Sequence, residues 1–105
     1  MRCQIAIAAA FACLAPTAFA QDAGARNLAA SCAICHGTDG RAATKDVVPL
    51  AGLPREHIAS QMRAFRDGQR PATVMHQIAK GYTEEQIEAL ATFFAAQRKG
   101  NEGKP

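Results

Sequence analysis

The sequence lacks several features that mark common classes of protein. It has four cysteines among 105 residues, and two of them, Cys3 and Cys13, lie in the apolar N-terminal stretch. The remaining pair is too few for the disulfide framework of a small secreted domain. Twelve Lys and Arg face nine Asp and Glu, for a formal net charge of +3, and the basic residues are scattered. The chain is therefore not expected to bind nucleic acid.

Two further absences concern the fold and the activity. No segment alternates apolar and polar residues over the length of a strand, which predicts an essentially all-α domain. No Ser-His-Asp set and no pair of carboxylates stands at a spacing useful for catalysis. This is consistent with a protein that is not an enzyme.

Residues 1–20 have the pattern of a secretory signal peptide. A positive charge near the start is followed by a short apolar run over residues 5–14, and Ala18-Phe19-Ala20 is an Ala-x-Ala cleavage signal. We expect cleavage after this tripeptide, export to the periplasm, one domain at residues 21–99 and a flexible polar tail at residues 100–105. The apolar run is too short to span a bilayer, and the sequence predicts no transmembrane segment elsewhere.

The sequence Cys32-Ala33-Ile34-Cys35-His36 is the most specific motif in the chain. Two thiols about one helical turn apart can each form a thioether with a haem vinyl group, and the adjoining imidazole can reach the iron. The motif predicts one covalently bound haem c, attached through Cys32 and Cys35, with His36 as an axial metal ligand. A haem would add buried apolar surface to a small domain, so we expect the haem-free chain to be largely unfolded.

Two other uses of the cysteines remain open as alternatives. A zinc module would need His57 and His76 to converge on Cys32 and Cys35, and neither histidine lies at a paired-ligand spacing. A redox-active dithiol of the thioredoxin kind would need βαβ surroundings, which the sequence does not predict. Haem attachment is the favoured interpretation.

Helical periodicity predicts the elements around the motif. Apolar residues recur at helical spacing in four segments, over residues 22–36, 54–67, 71–80 and 83–99. The last segment begins with the capping box Thr83-Glu84-Glu85-Gln86. We expect about four helices wrapped around the covalently bound haem.

The second axial ligand of the iron decides whether the site passes electrons or binds small molecules. Met62 lies within an apolar helical stripe and is expected in the core, whereas His57 lies on a polar face and is expected in solvent. Met75 is far enough along the chain from His36 to approach from the opposite haem face, and is the predicted ligand. His76 is the alternative. Ligation by His and Met would fill both axial positions and favour electron transfer.

The sequence resembles the small class I cytochromes c from about Ala25 to Gln97. CAICHG follows the first predicted helix, Pro49-Leu50-Ala51-Gly52 stands in the following loop, and Met75 comes late in the chain before a closing amphipathic helix. The stretch RPATVMHQIAKGYT is similar to the single-haem cytochrome subunit of flavocytochrome c sulfide dehydrogenases. In that family, an FAD-containing partner oxidises sulfide and passes electrons to the haem.

The resemblance implies specific roles and partners for this chain. It implies a FAD-containing flavoprotein as electron donor, with a free soluble shuttle between other redox proteins as the alternative. Carried over by position, the Pro49 carbonyl would accept the Nδ1 proton of His36 and so orient the ligand. Arg70 would meet a haem propionate or face solvent. Phe93 or Phe94 would pack where the first and last helices cross.

Overall fold

The computed structural model describes residues 18–100, and the side chains of residues 23–100. In that part of the chain there are five α-helices and a 3₁₀ turn at Thr38–Gly40, without any strand. The helices are α1 (Ala18–Ala30), α2 (Ala33–His36), α3 (Arg55–Arg66), α4 (Met75–Ala79) and α5 (Glu84–Ala95). The prediction of an all-α fold is confirmed.

The predicted signal peptide lies outside the described residues, except for Ala18-Phe19-Ala20, which begin α1. The predicted tail beyond Gly100 lies outside them as well. Within residues 18–100, every helix is too short or too polar to cross a membrane.

Helix α5 begins with the capping box that the sequence predicts. The Gln86 N–H donates to Thr83 Oγ1 at 3.2 Å, and the Thr83 N–H donates to Gln86 Oε1 at 3.0 Å. This reciprocal pair satisfies two donors that a helix start leaves without an intrahelical partner. Glu84 and Glu85 add negative charge at the positive end of the helix dipole. The helix ends at Ala95, before its predicted end.

Helix α5 also supplies most of the buried core. Its buried residues are joined by others from α1 and α3, and the cluster comprises Ala29, Ile58, Ala59, Ile87, Leu90, Ala91, Phe93 and Phe94. Helices α1 and α3 each pack on α5, and α4 packs on α3. The Arg26 guanidinium of α1 lies 5.8 Å from the ring centroid of Phe93, which places that phenylalanine at the crossing of the first and last helices. Thus α1, which leads into α2, and α3, which supports α4, both pack on α5.

The first helix ends earlier than the sequence predicts. Helix α1 stops at Ala30, and the CxxCH motif lies mostly on the separate short helix α2. The Cys32 N–H donates to Ala29 O at 3.1 Å, three residues back, and Ser31 Oγ donates to Leu28 O at 3.2 Å. A turn tightened to three residues and a serine bonded to the backbone both interrupt the four-residue ladder of an α-helix. The prediction of one continuous helix through the motif is wrong at this break.

Arginines of α3 pair with glutamates of α5 along the partly exposed side of the two helices. Arg63 Nε lies 2.6 Å and Arg66 Nη1 lies 2.9 Å from oxygens of the Glu84 carboxylate. Arg55 and Arg63 both bond to Glu88. Hydrogen bonds from Arg63, and then from Arg66, lower the pKa of Glu84. The network therefore helps to hold α3, on which α4 packs, against α5.

Candidate functional site

The CxxCH motif forms a single helical turn. The N–H groups of Cys35 and His36 both donate to Cys32 O, at 3.3 Å and 2.9 Å. Residues three and four apart lie on one face of a helix, so the two thiols and the imidazole share a face. Both cysteines are free, with Cys35 exposed and Cys32 partly buried. Burial raises the pKa of the Cys32 thiol.

The orientation of the His36 ring is fixed by a backbone carbonyl. His36 Nδ1 lies 2.8 Å from the carbonyl oxygen of Val48. A carbonyl oxygen only accepts, so Nδ1 carries the proton and the lone pair of Nε2 remains free in the neutral imidazole. This is the tautomer that binds a metal through Nε2, and the bond to the carbonyl makes the ring a better electron donor.

The acceptor of this bond differs by one residue from the one that the resemblance implied. Pro49 was expected to provide the carbonyl, and the structure places the bond on Val48 instead. The N–H groups of Leu50 and Ala51 both donate to Gly40 O, at 2.8 Å and 3.1 Å, and so fix the register of the loop. Since a residue before proline is confined to extended conformations, Val48 is held with its carbonyl toward the imidazole. Pro49 therefore restrains the acceptor rather than being the acceptor.

Met75 belongs to a different part of the fold from the motif. It is the first residue of α4 and is partly buried. Helix α4 packs on α3, whereas α2 packs on α1 and the neighbouring 3₁₀ turn. The structure therefore brings Cys32, Cys35 and His36 together on one element and carries Met75 on a second element. The two are connected through the shared packing of α1 and α3 on α5.

The other sequence candidates take different positions. His57 is exposed on α3 and Met62 packs against the core, as predicted for both. His76 is partly buried, and its Nδ1 is buried without a hydrogen-bond partner among the described residues. Arg70 is exposed, with its guanidinium carbon 4.7 Å from the ring centroid of Phe65. A contact between Arg70 and a propionate stays a prediction.

The zinc alternative is not supported by the side-chain arrangement. Within residues 18–100, no group of three or more His, Cys, Asp or Glu side chains is close enough together to hold a metal ion. The convergence of His57 and His76 on the two cysteines, which zinc would require, does not occur there. A dithiol of thioredoxin type is equally unsupported, because the described chain has no strands to form βαβ surroundings.

Large exposed apolar side chains in the described part of the chain lie beside the candidate ligands. Ile34 is 88% exposed, Val48 59%, Val74 54% and Ile78 38%. Ile34 lies within the motif, Val48 holds His36, and Val74 and Ile78 flank Met75 along the chain. Covering such exposed apolar side chains with an apolar macrocycle would be favourable. Two free thiols, an imidazole with Nε2 available and adjoining apolar surface fit a covalently attached haem.

Comparisons with known proteins show similarity to cytochromes c. A family model described as cytochrome c oxidase, cbb3-type, subunit III, matches residues 19–94. The cytochrome subunit of sulfide dehydrogenase from Chlorobaculum tepidum is 43% identical over 75 residues, which is 70% of this chain and 66% of that protein. The chain thus spans just under two thirds of this relative.

Other relatives have names that point to electron transfer. The thiosulfate dehydrogenase electron acceptor of Thiomonas intermedia is 42% identical over 78 residues, covering 73% of this chain and 35% of that protein. Cytochrome c-554(548) of Halomonas halodenitrificans is 34% identical over 70 residues, covering 64% of this chain and 84% of that protein.

Proposed function

This chain belongs to the class I cytochromes c. From that premise we propose that it transfers single electrons through an iron held between His36 and Met75. Proteins of this family carry covalently bound haem c. Here Cys32 and Cys35 would form the two thioethers. The haem, when bound, supplies reversible exchange between ferric and ferrous iron.

The observation that carries this proposal is the bond from His36 Nδ1 to Val48 O, at 2.8 Å. A carbonyl acceptor requires the proton to be on Nδ1, which leaves Nε2 as the ligand atom. Because the acceptor belongs to the backbone, no side-chain rotation can move it away from the ring. The contribution of His36 is therefore to hold one axial position in a fixed geometry.

Met75 completes the proposed ligand set. A thioether ligand raises the reduction potential relative to a second imidazole. With both axial positions filled by protein, oxygen or a substrate would find no open coordination site. We therefore propose an electron carrier rather than an enzyme, located in the periplasm after cleavage of residues 1–20.

The proposed electron donor is a FAD-containing sulfide dehydrogenase subunit. Support comes from 43% identity to the cytochrome subunit of sulfide dehydrogenase in Chlorobaculum tepidum. A second candidate is a carrier for a thiosulfate-oxidising enzyme, favoured by 42% identity to a thiosulfate dehydrogenase electron acceptor. In either case a sulfur compound is the ultimate source of the electrons.

Co-purification from the source organism tests this proposal. The tagged mature protein is isolated, flavin and haem absorbance are recorded together, and sulfide or thiosulfate is added to the oxidised preparation. Flavin in the preparation and reduction of the haem by sulfide support the sulfide dehydrogenase partner. A preparation that contains haem without flavin, and that sulfide does not reduce, contradicts it. Reduction by thiosulfate with a co-purified dehydrogenase would support the second candidate.

A further inference from the structure

A hydrogen bond joins Ser31, the residue before Cys32, to Tyr82, which follows α4 and its turn. Ser31 Oγ and Tyr82 Oη lie 3.2 Å apart although 51 positions separate them in sequence. We propose that this pair holds α4 against the haem-attachment segment and thereby keeps Met75 on the iron. The inference rests on the ligand role proposed above for Met75, and it makes Ser31 and Tyr82 positioning residues.

The direction of the bond follows from the other partner of Ser31. Ser31 Oγ also lies 3.2 Å from Leu28 O in the last turn of α1. That carbonyl can only accept, so it takes the single proton of Ser31, and the Tyr82 hydroxyl donates to Ser31 Oγ. The chain of two bonds therefore runs from Tyr82 through Ser31 to the backbone of α1.

Tyr82 is connected to α4 closely enough for the bond at its hydroxyl to restrain that helix. The Gly81 N–H donates to Ile78 O at 3.1 Å and the Tyr82 N–H donates to Ala79 O at 3.3 Å, so the turn continues directly from the helix. The Tyr82 side chain packs against the hydrophobic core. The next residue, Thr83, caps α5. The tyrosine is thus fixed on both sides, and its hydroxyl reaches the opposite segment.

Helix α4 needs such external support. It has 5 residues, from Met75 to Ala79. A helix of about one turn is not stable by itself, because nucleation costs more than a single turn of hydrogen bonds returns. Ala79, which is fully buried, anchors its C-terminal end. The bond from Tyr82 to Ser31 ties that same end to the cysteine-bearing side of the molecule.

Competition by an external ligand measures how firmly Met75 is held. Imidazole binds ferric iron only in molecules whose methionine has left, so its apparent affinity scales with the fraction of detached molecules. The proposal takes the bond between Ser31 and Tyr82 to break when Met75 leaves the iron, so that removing this bond increases the detached fraction. We expect the apparent Kd for imidazole to fall about three- to tenfold.

The experiment uses the ferric holoprotein and four substitutions. Y82F removes the hydroxyl but keeps the ring in the core, and S31A removes the acceptor. S60A is the matched control, because Ser60 Oγ donates to His57 O at 3.0 Å, the same bond to a carbonyl three residues back, but in α3. M75L reports the ligand itself, through imidazole affinity and the methionine-to-iron charge-transfer band.

The results distinguish the positioning role of Ser31 and Tyr82 from the ligand role of Met75. Y82F and S31A should each tighten imidazole binding, the double variant should match either single variant, and S60A should match the wild type. If M75L changes the band and the affinity while Y82F and S31A behave like S60A, Met75 is the ligand and the positioning role is wrong. Additive effects of Y82F and S31A would also overturn the role of the pair. An unchanged band in M75L would instead refute the ligand assignment.

Discussion

The Nδ1–H group of His36 donates a hydrogen bond to the carbonyl oxygen of Val48, with 2.8 Å between nitrogen and oxygen, and this bond joins the haem-attachment turn to a loop that has no regular secondary structure. A side-chain substitution cannot delete a backbone acceptor. The bond depends instead on the register of the loop, which two hydrogen bonds to Gly40 O set. Changes at Gly40 should therefore act on His36 from a distance.

Replacement of Gly40 by alanine tests this dependence. Gly40 has φ +79°, and a Cβ there would lie 2.9 Å from both Ala51 N and Phe94 Cδ1. We expect G40A to destabilise the holoprotein by about 2–4 kcal/mol, the sum of left-handed strain and overpacking. We also expect the reduction potential to rise, because a weaker bond at Nδ1 makes His36 a poorer donor to ferric iron.

The matched control for that substitution is G68A. Gly68 has φ +74°, but a Cβ there would meet nothing within 4 Å. This variant carries the same backbone strain without the clash, so it should cost about 1 kcal/mol and leave the potential unchanged. Thermal unfolding and a redox titration provide both readouts. Equal losses of stability in G40A and G68A would show that the contacts of Gly40 do not matter.

Replacement of Met75 by leucine should lower the reduction potential by about 0.1 V or more, because the thioether stabilises ferrous iron. M62L is the control, because it makes the same change from Met to Leu at a residue that packs against the core. Spectroelectrochemistry of the two variants distinguishes them. A second substitution, H76A in the M75L background, asks whether the neighbouring imidazole takes the empty position. If neither M75L nor M62L changed the reduction potential, the assignment of Met75 as an iron ligand would be refuted.

The sequence predicted the fold where local signals agree with packing. In α5, the capping box at Thr83 and the apolar stripe from Ile87 to Phe94 fall on a helix whose buried face is the core. The break between α1 and α2 was missed. Apolar spacing continues through it, whereas the interruption comes from Ser31 and Cys32 bonding three residues back. Periodicity does not register that competition.

The candidate site could be predicted only where its residues are adjacent in sequence. Cys32, Cys35 and His36 fall on one helical turn because of their spacing alone. The acceptor Val48 depends on bonds between a loop and Gly40, which no local pattern encodes. The contact of Ser31 with Tyr82 likewise arises from the packing of distant helices.

The paired charges between α3 and α5 predict a pH dependence of stability. Hydrogen bonds from Arg63 and Arg66 hold the pKa of Glu84 below its ordinary value of 4.5. A lowered pKa in the folded state stabilises the protein at pH values above about 4.5, and this contribution is lost as the pH falls through the folded-state pKa. E84Q should therefore lower the midpoint of thermal unfolding at pH 7 by a few degrees at most, since the pair is exposed.

The difference between E84Q and the wild type should disappear in acid and shrink in high salt. E85Q is the control, because Glu85 lies in the same first turn of α5 and makes a similar contribution to the helix dipole. Thermal melts from pH 3 to pH 7 measure both variants. A constant difference across that range would mean that the carboxylate of Glu84 does not titrate as the structure implies.

Removal of the haem should unfold most of the chain. Half of the buried apolar residues in the described part are alanines, namely Ala29, Ala51, Ala59, Ala79 and Ala91, and Ile87 is the largest side chain that is fully buried. Alanines bury little area each, so the protein core by itself supplies little hydrophobic stabilisation. The double variant C32A/C35A cannot form thioethers, and we expect it to lose most of its helical far-UV signal and its cooperative melting transition. A haem-free chain with the helical spectrum and sharp transition of the holoprotein would show that α1, α3 and α5 fold without help from the cofactor.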